Sequence, residues 1–200
     1  MPATPINATT PTALESRFPR TVSLKGGKQV ELRLMGDGDE ARILNFAHSL
    51  PADDLLFLRR NIADPAAVQE WLADIAAGQS LTVLANDGEA IAGYGSLHLN
   101  AASWMRHIGE IRMLAGVPYR GSGLGRVLAS ELYTDAKLLG LRKLTAQMTL
   151  DQAGARATFE RLGFKPEALL TDWVMAGDGR TRDLLVMAYD LEGLTDTVDV

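Results

Sequence analysis

Three glycines in five residues, Gly121, Gly123 and Gly125, follow Arg120 and separate an apolar run from an amphipathic one. Glycine at that density weakens regular structure unless the backbone must take unusual angles or approach something closely. Such a turn can aim several N–H groups one way, and the positive end of a following helix adds to them. The chemistry favoured is anion binding, with Arg120 supplying a charge-assisted bond to phosphate. A Rossmann fingerprint needs glycine at the sixth position counted from Gly121, where Arg126 stands. A P-loop needs Gly-Lys-Ser/Thr, which is absent. The glycines alone allow equally a tight turn that holds no ligand.

Upstream, Glu110 and Arg112 lie two residues apart in a strand-like run and so share a face. A carboxylate there can accept a proton, but a guanidinium beside it lowers its pKa and makes it a poorer base. Tyr94, Ser96 and His98 share one face of another strand. They read first as packing or surface groups and second as lining for a substrate. Asp53 and Asp54 read as solvated loop acids, although such a pair would suit a cationic amine. His48 reads as a surface group, and His98 and His107 do not make a metal-binding pattern. No metal site is expected.

The elements that must position these residues follow from period and punctuation. Thr21–Leu24 and Gln29–Leu34 flank Gly26-Gly27, a hairpin signal. Ile43, Phe46, Ala47 and Leu50 mark a helical face with Asp37 or Asp39 as cap and Pro51 closing it. A second helix has Asp64 as cap, Pro65 in its first turn, a stripe of Val68, Trp71, Leu72 and Ile75, and Gly78 at its end. Strands follow over Ser80–Ala85, Ala90–Asn100 and Ile108–Ala115, the first two joined by Asp87-Gly88. A helix runs from Gly123 to Leu139, a strand from Lys143 to Leu150 and a short helix from Ala153 to Leu162. A hairpin of Leu169–Met175 and Asp183–Leu191 completes the chain. The order predicts an α/β fold of the mixed α+β kind, with helices on the faces of one mixed sheet. It lacks the regular βαβ alternation of a doubly wound fold.

Composition bounds the function. The chain has 200 residues, 46% hydrophobic and 22% charged, with a formal net charge of -5. That length suits one domain, expected over residues 21–192 between tails at 1–20 and 193–200. The acidic balance argues against general nucleic-acid binding. No apolar stretch approaches the ~20 residues that cross a bilayer, so no membrane partner is expected. The sequence has no cysteine, which excludes disulfides, thiolate metal sites and a cysteine nucleophile and suits a cytoplasmic location. Monomer and homodimer are both open, since the terminal hairpin offers an edge for pairing.

Arg120-Gly121-Ser122-Gly123-Leu124-Gly125 resembles the Arg/Gln-x-x-Gly-x-Gly/Ala signature of the GNAT N-acetyltransferases. Glu110–Ala115 is similar to the family's fourth strand, Gly125–Leu139 to the helix after it and Leu144–Leu150 to its fifth strand. Ala155, Phe159, Gly163 and Phe164 match the family's A-x-x-x-Y-x-x-x-G-F ending except at Phe159. The resemblance implies a central sheet of about seven strands, splayed between the fourth and fifth, with about four helices. It also implies acetyl-CoA as acyl donor and direct attack by an amine acceptor, a small molecule or protein lysine. A non-catalytic acyl-CoA-binding domain of the same fold is the alternative. By that resemblance the pantetheine arm pairs with Met113, Leu114 and Ala115, and the pyrophosphate lies over Arg120, Gly121, Ser122, Gly123, Leu124, Gly125 and Arg126. Gln152 stands where an asparagine often meets the arm, and Glu110 where some branches carry a catalytic glutamate. Phe159 stands where many members have a tyrosine that protonates the departing thiolate. The connection from Ala115 to Arg120 is one residue shorter than the family's, which puts the usual strand bulge in question. Leu50–Arg59 also weakly resembles bacterial protein-lysine acetyltransferase domains.

Overall fold

The computed structural model describes residues 13–55, 58–100 and 102–191. Within them the period-two runs become β1 (Arg20–Ser23), β2 (Gln29–Leu34), β3 (Ser80–Asp87), β4 (Ala90–Leu99), β5 (Ile108–Ala115), β6 (Lys143–Thr149), β7 (Lys165–Met175) and β8 (Thr181–Asp190). They form one mixed sheet in the order β1-β2-β3-β4-β5-β6-β8-β7. The eight strands are those read from period and turn signals, one more than the seven or so that the resemblance implied. The additional one is β1, the first arm of the N-terminal hairpin, so the family's fourth and fifth strands are β5 and β6. All neighbours are antiparallel except β5 and β6, which run parallel because α4 crosses between them.

The helices are α1 (Glu40–His48), α2 (Ala52–Leu55), α3 (Pro65–Ala76), α4 (Leu124–Leu138) and α5 (Ala153–Arg161). The α3 start follows the expected chemistry: the Asp64 side chain accepts from Ala66 N–H at 3.0 Å and Pro65 opens the first turn. At α1, Asp39 occupies the cap position but makes no capping bond. Its carboxylate instead accepts from Arg33 at 2.8 Å and from Gly36 N–H at 3.1 Å. Burial opposes its ionisation, but those hydrogen bonds outweigh it and hold the carboxyl below its ordinary range. An ion pair inside a turn has displaced a cap there.

The sheet separates two apolar layers. On one side Leu97, Ile111, Leu128, Leu132 and Leu144 pack beneath α4 and α5. On the other, Ile43, Phe46, Val68, Trp71, Leu84 and Tyr94 pack beneath α1 and α3. Because both faces are covered, β4 is buried from Ile91 through His98. Gly93 permits the close fit: a Cβ there would meet Leu114 O at 2.6 Å and Leu124 Cδ2 at 3.0 Å. That proximity sets the first turn of α4 against the end of β5.

Residues 13–20, assigned to a tail on sequence grounds, contribute buried Leu14 and two arginines that bridge to α4. Arg17 pairs with Glu131 at 2.6 Å and also with Asp135, and Arg20 pairs with Glu131. Both acids are almost fully buried, and an unpaired buried charge is costly. Arg17→Ala is expected to lower stability by about 2 kcal/mol, read as a reduced urea midpoint with an unchanged slope.

Candidate functional site

The parallel pair β5 and β6 supplies the first half of the site. Pairing covers only Ile108–Glu110 against Lys143–Thr145, although β5 continues to Ala115 and β6 to Thr149. Beyond Glu110 the two strands part. Gly116 N–H donates to Ala92 O at 2.8 Å, so antiparallel alternation turns the N–H and C=O groups of Met113 and Ala115 away from β4 and into the gap. The register of β4 with β5 runs from Gly93↔Ala115 to Leu99↔Gly109 without a shift. The shortened connection is taken up by a 3-10 turn, Val117–Tyr119.

The glycine turn closes the open end of that gap. Gly121 and Gly123 have φ of 73° and 89°, a region side chains rarely adopt, and a Cβ on Gly121 would meet nothing. The first i to i−4 bond of α4 is from Val127 N–H to Gly123 O, so the N–H groups of Leu124 and Gly125 precede the helical ladder. The N-terminal hairpin braces the turn, with Lys25 N–H donating to Ser122 O at 2.9 Å. Tyr119 donates to Asp87 at 2.7 Å, and Lys28 pairs with the same carboxylate at 2.9 Å. Arg120 pairs with Asp54 of α2, so Asp54 is not the free loop acid expected. Asp53, by contrast, is exposed.

On the α1/α3 face of the sheet, cross-strand register sets His98 beside Glu110, Ser96 beside Arg112 and Tyr94 beside Leu114. Tyr94, Ser96, His98 and Arg112 line one narrow cleft with Leu58, Arg59, Arg60, Ile62 and Trp71. All three strand residues are buried, Tyr94 packing against Phe46 and Trp71, so the packing reading of that face holds even as the same side chains border the cleft. Glu110 pairs with Arg112 at 2.6 Å and with Arg59 at 3.4 Å, as the sequence spacing required for the first. Arg112 also donates to Gln147 O at 2.9 Å. Its guanidinium thus spans the point where the backbone rungs between β5 and β6 cease. Ser96 exchanges a hydrogen bond with Thr82 at 2.9 Å, and His98 Nδ1 lies 3.3 Å from the Ser80 hydroxyl. Burial first, and then Arg59, Arg60 and Arg112, push the His98 pKa down to about 4.

A family model of the acetyltransferase (GNAT) family matches residues 47–164. The chain belongs to this family. No curated protein matches its sequence. Among solved structures, yncA of Salmonella typhimurium, determined with its cofactor acetyl-CoA, is 22% identical with a TM-score of 0.70 over 83% of this chain and 96% of that one. The GNAT domain of PAT from S. lividans is 14% identical with a TM-score of 0.70, over 88% and 98%. A ribosomal-protein-alanine N-acetyltransferase from Brucella melitensis is 22% identical with a TM-score of 0.69, over 80% and 98%. At these identities the structures establish the shared GNAT fold.

Within that fold the predicted residues fall into two groups. Met113, Leu114 and Ala115 line the end of β5, and Arg120 through Arg126 form the turn opposite. Of the former, Leu114 turns its backbone toward β4 instead of the gap, because alternation permits only every second residue to face it. Gln152 lies at the start of α5 and accepts from Thr149 N–H at 3.0 Å, so its oxygen closes the end of β6. Phe159 is buried and meets Phe164 edge-on at 5.1 Å. Arg59, Arg60 and Trp71 were not identified from sequence. The adjacent Arg59-Arg60 pair was a visible signal, but only the fold brings it to β5. Among the described residues no group of three or more His, Asp or Glu side chains is placed to hold a metal.

His98 makes stability depend on pH. Its folded pKa, about 4, lies below the ordinary value of 6.5, so the unfolded chain binds the proton more readily. The contribution is complete above about 6.5 and is lost as pH falls toward 4, by at most about 3 kcal/mol. His98→Gln is expected to flatten that part of a pH series of urea midpoints.

Proposed function

We propose that this chain transfers an acetyl group from acetyl-CoA to a primary amine by direct attack in a ternary complex. The observation that carries this reading is the coincidence of two features: β5 and β6 part after three pairs, and β5 leads into a positive-φ glycine turn in which the Leu124 and Gly125 N–H groups precede the helical ladder. Met113 and Ala115 would pair with the amide groups of the pantetheine arm as a strand would. The N–H groups from Gly121 to Gly125 and the positive end of α4 would hold the pyrophosphate. Arg120 would exchange Asp54 for a phosphate oxygen. Ser122, Leu124 and Arg126 complete this segment. The Gln152 amide group, with its oxygen held by Thr149, would present Nε2 toward the arm.

An amine of lysine type, pKa near 10.4, is neutral in only about one molecule in 2,500 at pH 7, a penalty of roughly 4–5 kcal/mol. Glu110, on the cleft side of the parting point, is the group proposed to take that proton, directly or through water. Its contacts with Arg112 and Arg59 orient the carboxylate. The amine nitrogen then attacks the thioester carbonyl carbon, and a backbone N–H facing the gap stabilises the oxyanion. The C–S bond breaks as the amide forms. Phe159 has no proton to give, so water protonates the departing thiolate. No acyl-enzyme is formed, which accords with a chain that has no cysteine.

Incubation with acetyl-CoA and a panel of amines, amino acids and lysine peptides is expected to release CoA thiol above the blank. Tight acetyl-CoA binding with no release across the panel would contradict the transferase reading. Glu110→Gln is expected to lower kcat by roughly 100-fold while leaving acetyl-CoA affinity unchanged, since general-base loss typically has that size. Gly123→Glu places a carboxylate at the proposed pyrophosphate position and should weaken acetyl-CoA binding by roughly 100-fold or more. Calorimetry checks it, with circular dichroism to show a folded protein.

A further inference from the structure

The acceptor cleft is rich in donors. Arg59, Arg60, Arg112 and Trp71 all line it. Behind them stand two carboxylates, Glu110 on Arg112 and Arg59, and Asp74 on Arg60 at 2.5 Å. Three guanidinium groups against two carboxylates leave one positive charge in excess, and His98 is neutral above pH about 4. Two of the donors are also unused: Arg60 Nε and Trp71 Nε1 are buried and have no hydrogen-bond acceptor in the described protein. A buried donor without a partner is costly, and the group that relieves it is an acceptor oxygen. Arg59 is about half exposed (49%) and lines the cleft, and among the described residues its ion pair is the long one to Glu110.

Resting on the transferase reading above, we propose that the amine acceptor carries a negatively charged oxygen group, a carboxylate or a phosphonate, and that Arg59, Arg60 and Trp71 select it. A short acceptor would place its anionic group among these donors while its amine reaches Glu110 and the thioester. A polyamine would bring further positive charge to a cleft already in positive excess and would leave both buried donors unpaired. The acidic pair at Asp53-Asp54 does not offset this, because Asp54 is held by Arg120.

The test compares matched acceptors with the full-length protein and acetyl-CoA: α- and ω-amino acids, their amides, aminoalkylphosphonates, spermidine and a lysine peptide. The expected result is a kcat/KM at least about tenfold higher for the anionic members than for their amides, since a charge-assisted bond contributes on that scale. The carboxylate and phosphonate arms separate the two sources of the oxygen. Arg59→Ala should raise KM about tenfold more for the anionic acceptor than for its amide, any change in kcat from the freed Glu110 being common to both. Trp71→Phe, which keeps the ring and removes the N–H, should do the same in smaller measure. Equal or better turnover of amides or spermidine would overturn the proposal. So would an Arg59→Ala variant whose KM rose equally for the acid and its amide. If no acceptor turns over, calorimetry on the CoA-loaded protein still decides. Binding of the amino acid but not its amide supports the cleft assignment while the transferase reading fails, and binding of neither overturns both.

Discussion

A parallel strand pair that stops early imposes the central constraint on this molecule. β5 and β6 share three paired positions and then separate, yet both strands continue for several residues. Backbone N–H and C=O groups cannot be left buried and unpaired without cost. The fold meets that cost in two ways. On the cleft face Arg112 reaches across to Gln147 O and replaces a missing rung with a side chain. Along the rest of the gap the Ala115 carbonyl accepts from Arg120 Nε at 3.4 Å, and the remaining Met113 and Ala115 backbone groups are those proposed to pair with the donor's arm.

The rest of the architecture serves that opening. Close packing at Gly93 brings the start of α4, with its first N–H groups outside the helical ladder, to the end of β5. The N-terminal hairpin braces the turn through Lys25, and Tyr119 anchors the connection to Asp87. A donor-rich cleft lies on one face of the parting strands and a phosphate-type cradle at their end. On the proposed reading these are two chemically distinct halves of one site, with Glu110 between them.

Much of this was legible in the sequence because it is local. The glycine turn, the strand before it and the helix after it lie in one continuous stretch, and their residue types state their geometry. The Glu110–Arg112 contact follows from strand period alone. What stayed illegible depends on tertiary proximity. Asp54 meets Arg120 across 66 positions, and no local pattern distinguishes it from a solvated acid. Asp39 was readable as a cap, but Arg33 claims it because β2 ends beside the start of α1. Trp71 read as part of a helical apolar stripe, and Arg60 carried no signal of its own. Their unpaired nitrogens become visible only when the cleft is assembled.

The proposal that the gap holds the acyl donor is most directly tested by amide chemical shifts of 15N-labelled protein during titration with acetyl-CoA. The account predicts the largest shifts at Met113, Ala115, Gly121, Gly123, Leu124 and Gly125, with Leu114, whose amide pairs with β4, moving less. Saturable shifts confined to another surface, with those amides unmoved, would contradict it.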